Sequence, residues 1–159
     1  SAPTGLQNKV LTQIGRLINP SPKLVFFKLV LVHLVVGFLS LAVCHQFEMN
    51  PFHTETSVAS WLTELAGHHA CVLGCGLLFL GLTLLVAGYV LTIEEVKTLR
   101  KNKIVQTLSL SFISLTLFYF SGAELALALV VLWMLGALAG GYLATEAVWK
   151  LRQPKLARF

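Results

Sequence analysis

The twelve Lys and Arg residues of this 159-residue chain fall in three clusters, Lys9 to Lys28, Lys97 to Lys103 and Lys150 to Arg158, and the long stretches between them hold none. Basic residues are retained on the cytoplasmic side during membrane insertion, so each gap between clusters must leave the cytoplasm and return to it. Two gaps therefore give four crossings with both termini inside, and the chain is expected to be integral to a cytoplasmic membrane of bacterial type. Asp is absent; Glu48, Glu55, Glu64 and Glu124 fall outside by this topology, and Glu94, Glu95 and Glu146 inside.

Hydrophobic residues make up 56% of the chain and charged residues 12%, too apolar a balance for a soluble domain of this length, so the solvent is lipid. The positive charge that would suggest nucleic acid in a soluble protein is here the topology signal itself, and its expected contact is anionic headgroups. No nucleic-acid partner is expected. The partners implied are the bilayer and other membrane proteins or a second copy of the chain.

The fold expected is all-α: a four-transmembrane-helix antiparallel bundle preceded by an amphipathic interfacial helix. In residues 1–20, Leu6, Val10, Leu11, Ile14, Leu17 and Ile18 recur at helical spacing with Lys9, Gln13 and Arg16 between them, the pattern of a helix lying in the membrane surface. Its N-terminal region lacks the apolar core and small-residue cleavage site of a signal peptide. Residues 21–159 form the transmembrane domain, with crossings at about 24–44, 69–93, 104–120 and 125–149; the first covers a hydrocarbon core of about 30 Å at ~1.5 Å per residue, and the third is shorter. Thr56 to Leu65 reads as a short helix in the outer loop, with Trp61 suited to the interface, and Glu94 to Lys103 as a basic inner turn.

Small residues set the expected packing. Gly67, Gly74, Gly81 and Gly88 repeat every seven residues along the second crossing, and Gly136 and Gly140 make a GxxxG step on the fourth. Such seams let helix backbones approach closely in lipid, where hydrophobicity does not drive helices together. Both are read as packing inside the bundle, with a homodimer face on the fourth helix as the rival. Thr107, Ser111, Ser114 and Ser121 share one side of the third helix; hydroxyls there bond to their own i−4 carbonyls or to a neighbour, or else line a polar path. His33 is the one ionisable group at mid-depth, and it is read as a hydrogen-bonded core histidine.

One cluster carries potential chemistry. His68, Cys71 and Cys75 are spaced i, i+3, i+7 and project from one helix face, Cys44 and His45 end the first crossing at the same depth, and Met49, His53 and His69 lie nearby. Thiolate and imidazole together suit Zn or Cu, and His68, Cys71 and Cys75 with Cys44 or His45 would make a closed tetrahedral set. A disulfide from Cys44 to Cys71 or Cys75, or plain packing of small apolar side chains, accounts for the same residues. Three functions from different classes follow: a non-catalytic accessory, assembly or sensory membrane subunit, favoured by the absence of catalytic motifs; a metal-binding or thiol-redox protein; and a small transporter or channel along the hydroxyl face.

Overall fold

The structure is a computed structural model that describes residues 4–47, 49, 51–53 and 57–153. Among these residues it is all-helical, with six helices and no strand: α1 Thr4–Ile18, α2 Pro22–Ser40, α3 Val58–Val90, α4 Ile93–Lys101, α5 Lys103–Phe120 and α6 Leu127–Arg152. Four of them, α2, α3, α5 and α6, are long and apolar enough to cross a membrane, which fits a polytopic membrane protein. The expected positions of Glu48, Glu55, Thr56, Lys155 and Arg158, and the side chains of Leu6, Arg16, Leu17 and Ile18, lie outside what is described.

The solvent these helices need is visible in their exposure. On α2, Val25, Leu29, His33, Gly37 and Ser40 form one buried stripe at helical spacing, while Phe27, Leu31, Leu34, Val35, Phe38 and Leu39 around it are exposed. An apolar surface of that extent is stable against lipid and not against water. On α1, Val10, Leu11 and Ile14 are exposed as well, left uncovered by the other described residues.

Element boundaries follow local chemistry. Ser21 caps α2, its hydroxyl accepting from the Leu24 amide at 3.3 Å, and Pro22 takes the first turn, where a missing N–H costs nothing. The helix stops at Ser40, short of the expected 44, because Leu41 to Val43 form a turn. The short outer-loop helix and the second crossing are consecutive arms of α3, parted only by Gly67 with φ +83° and ψ 169°. A Cβ at Gly67 would meet nothing, so the backbone angle alone calls for glycine. Where a basic turn was expected at Glu94 to Lys103, residues 93–101 are helical. Thr92 and Glu95 form a reciprocal capping box, with Glu94 and Glu95 in the first turn and Arg100 and Lys101 in the last, a charge order that suits the helix dipole.

The most intimate packing joins α3 to α6. A Cβ on Gly136 would overlap the carbonyl oxygen of Leu73, one on Gly140 that of Leu77, and one on Gly76 that of Trp133. The heptad glycines of α3 do not share this contact: Gly74 faces the Leu62 side chain across the kink, Gly81 leaves ordinary room beside Gly140, and Gly88 packs on Val148. The GxxxG face of α6 is therefore occupied by α3 within the same chain.

Polar contacts gather at the two ends of the helices. At the basic end, Lys28 of α2 pairs with the buried Glu95 of α4 at 2.5 Å, and Arg100 and Lys103 converge on Glu146 of α6 at 3.1 and 2.5 Å. Arg152 donates to the carbonyls of Gly88 and Leu91, closing the end of α3. At the other end lie the cysteines.

Candidate functional site

The turn after α2 brings Cys44 against α3, and its sulfur is joined to that of Cys75 in a disulfide of 2.04 Å with the Cα atoms 6.1 Å apart. Cys71 remains a free, buried thiol. It lies one turn before Cys75 on the same face, its sulfur 3.9 Å from that of Cys75, and it donates to the Ala59 carbonyl in the first arm of α3 at 3.3 Å. The kink at Gly67 is what folds that arm back far enough for this contact.

A second residue holds the turn in place. Gln46 is buried, and its amide donates to the carbonyls of Cys44 and Cys75 at 3.2 and 3.4 Å while its side-chain oxygen accepts from the Trp133 indole at 2.6 Å. One side chain thus ties the post-α2 turn to α3 and α6, with every polar group satisfied. Phe47 follows with φ +49°, an unfavourable angle for a bulky residue, and its ring packs on Phe118 and Trp133 at centroid distances of 5.7 and 6.1 Å. Phe79 completes this aromatic floor, 5.5 Å from Phe118 and 5.8 Å from Trp133.

Above the floor lies a cavity of about 730 Å³, walled by His45, His68, Cys71, Cys75, Ser57, Ser60 and Thr63 on one side and by Gly122, Ala123 and Glu124 of the α5–α6 turn on the other. Of the five residues expected as metal ligands, His45, His68, Cys71 and Cys75 line this cavity, and Cys44 stands behind it. Bonded to each other, Cys44 and Cys75 are not thiolates, and among the described residues no group of three or more His, Cys, Asp or Glu is placed to hold a metal ion. His69 is exposed, its ring 6.1 Å from that of His68, and does not line the cavity.

No family model matches the chain, and no curated protein or solved structure matches it either. The site is therefore read from its own geometry.

Deeper between the helices, His33 bridges α2 to α3 and α5, with Nδ1 3.0 Å from the Thr83 hydroxyl and Nε2 2.7 Å from that of Ser114. Each hydroxyl also lies within hydrogen-bond reach of its own i−4 carbonyl, Phe79 at 3.0 Å and Leu110 at 2.8 Å, and the ring edge meets Phe79. A neutral imidazole and two hydroxyls supply three hydrogens for these four contacts, enough to satisfy both ring nitrogens. Ser111 likewise bonds back to Thr107 at 2.9 Å, and Thr107 packs on Gly141. Among the described residues, the one buried side-chain polar atom left without a partner is the Gln106 oxygen.

Proposed function

We propose that the protein is a non-catalytic accessory or sensory subunit of a cytoplasmic membrane, an antiparallel four-helix bundle with both termini inside and the cysteine-lined cavity facing out. The observation that carries this reading is the contrast between a packed interior and the open chamber beside the cysteines. Buried hydroxyls along α5 are spent on their own carbonyls or on His33, and backbone meets backbone between α3 and α6, so packed atoms fill the space a solute would need. A transporter requires ionisable or hydrated groups along a route through the lipid. Here the polar groups with free access gather at the chamber, which suits reception of a ligand or a partner segment. The basic end supports the orientation: a cleft of about 390 Å³ is lined by Trp149, by Lys97 and Lys101, and by Arg100 and Lys103 with their partner Glu146, a surface of net positive charge suited to anionic headgroups on the cytoplasmic leaflet.

The topology is tested with a membrane-impermeant thiol reagent applied from outside to a cysteine placed at Ser57 or at Thr98. Ser57→Cys is expected to label and Thr98→Cys to stay unlabelled, because inverting the chain would carry several basic residues across lipid at ~2.5–3.5 kcal/mol each on insertion scales. Labelling at Thr98→Cys alone would overturn the orientation. Liposomes containing the protein are expected to show no flux of small ions above empty vesicles.

A further inference from the structure

We infer that the cavity houses a thiol–disulfide exchange site in which Cys75 is the shared sulfur and Cys71 the internal nucleophile. Three features point to it. The free thiol lies 3.9 Å from one sulfur of the disulfide, close to van der Waals contact. Cys71 and Cys75 both line the cavity, whereas Cys44 does not, so a thiol entering from solvent meets the same Cys75 sulfur that Cys71 faces. The Cys71 thiol donates to the Ala59 carbonyl at 3.3 Å, in an arm that meets the rest of α3 at the Gly67 kink, and that bond is lost when the thiol ionises.

The exchange is redox-neutral. Cys71 loses its proton to solvent, its thiolate attacks the Cys75 sulfur, the Cys44–Cys75 bond breaks, and the electron pair leaves on Cys44, which takes up a proton. An external thiol enters the same cycle: its thiolate attacks Cys75 and expels Cys44, and Cys71 then displaces it, so the thiol is returned and the link again ends between Cys71 and Cys75. Either route moves the covalent tie from between α2 and α3 to within α3, where Cβ atoms four residues apart lie about 5–6 Å from each other and the helix must tighten locally to close the bond. The end of α2 is untethered without any net oxidation. The exchange rests on the sensory reading of this cavity and deepens it; because it proceeds in detergent whichever way the protein faces, its failure is separate from a failure of the topology.

The test uses the whole protein in detergent, incubated with reduced glutathione, trapped with N-ethylmaleimide and cleaved after Glu without reduction. Cleavage at Glu48, Glu55 and Glu64 separates the Cys44 peptide from the one that carries both Cys71 and Cys75. Wild type is expected to release an alkylated Cys44 peptide together with an internally linked Cys71–Cys75 peptide, growing with time of incubation. In Cys71→Ser the glutathione adduct on Cys75 is expected to exceed that of wild type severalfold, since only the expelled Cys44 is left to displace it. Alkylation confined to Cys71 in folded wild type at all times would overturn the exchange, as would equal adduct levels in wild type and Cys71→Ser. The wild-type peptide map decides the matter even if the variant does not fold.

Discussion

At the scale of single residues, the site depends on one that carries no signature. Gln46 is a lone glutamine in an irregular turn, with no spacing to mark it; beyond the nearby Cys44 carbonyl, its partners are Cys75 and Trp133, the latter 87 residues later in the chain. Replacing it by leucine leaves the buried indole N–H without an acceptor, at a cost of about 1–3 kcal/mol. Gln46→Leu is therefore expected to melt earlier than wild type in detergent, and an unchanged melting profile would show that the turn is held by the disulfide alone. The choice of disulfide partner was equally beyond sequence reasoning. Cys71 and Cys75 share a helix face one turn apart, and which of them Cys44 reaches depends on how three apolar residues, Leu41 to Val43, leave the helix. That His33 is a hydrogen-bonded core residue was readable, because a lone imidazole in lipid has to find partners; that these are the hydroxyls of Thr83 and Ser114 came from the structure.

Among the helices, the number of spans was legible because lipid forces it, while their ends were less so. Water and headgroups end a helix through caps rather than through loss of hydrophobicity, and the T-x-x-E of Thr92 to Glu95 was a readable cap in a segment whose charges suggested a turn. The seven-residue glycine repeat was a partial guide: Gly81 and Gly88 do lie against α6, while Gly67 is spent on the kink and Gly74 lies where the first arm of α3 folds back. They face open space, Leu62, Gly140 and Val148 in turn. The packing that matters is the cradle of α6 around the α3 backbone. Gly140→Ala should force the helices apart and cost ~1–3 kcal/mol, as overpacking does, whereas Gly81→Ala has room for its methyl and should be nearly silent. Thermal stability in detergent compares the two directly; equal losses would mean that α3 and α6 do not meet at Gly140.

Taken whole, the molecule is fastened differently at its two ends, covalently beside the cavity and ionically at the basic end. The ionic end should be the acid-sensitive one. Burial pushes the Glu95 carboxyl up, but hydrogen bonds from Lys28 and from the Thr92 amide, with the Lys28 charge, outweigh it and bring the group below its ordinary value of 4.5. A carboxyl lowered by folding stabilises the protein at every pH above 4.5 and loses that contribution as pH falls through its own lower value. Wild type is thus expected to lose thermal stability as the solution is acidified through and below that range, and Glu95→Gln to show a flatter profile from a lower plateau. A wild-type profile as flat as that of Glu95→Gln would remove Glu95 from the account.

The clasp that Arg152 places on the end of α3 also orders events in time. The carbonyls of Gly88 and Leu91 have no claim on that guanidinium until the ribosome has passed Arg152, 64 residues beyond Gly88, and the glycine cradle of α6 is likewise made only in that final stretch. Helix α3 must wait in the bilayer, kinked and half-dressed in lipid, while α4 and α5 are threaded past it. Helix α2 is there to meet it from the start, but the more intimate neighbour, α6, is the last helix to be made, so that half of the packing closes only at the end of synthesis.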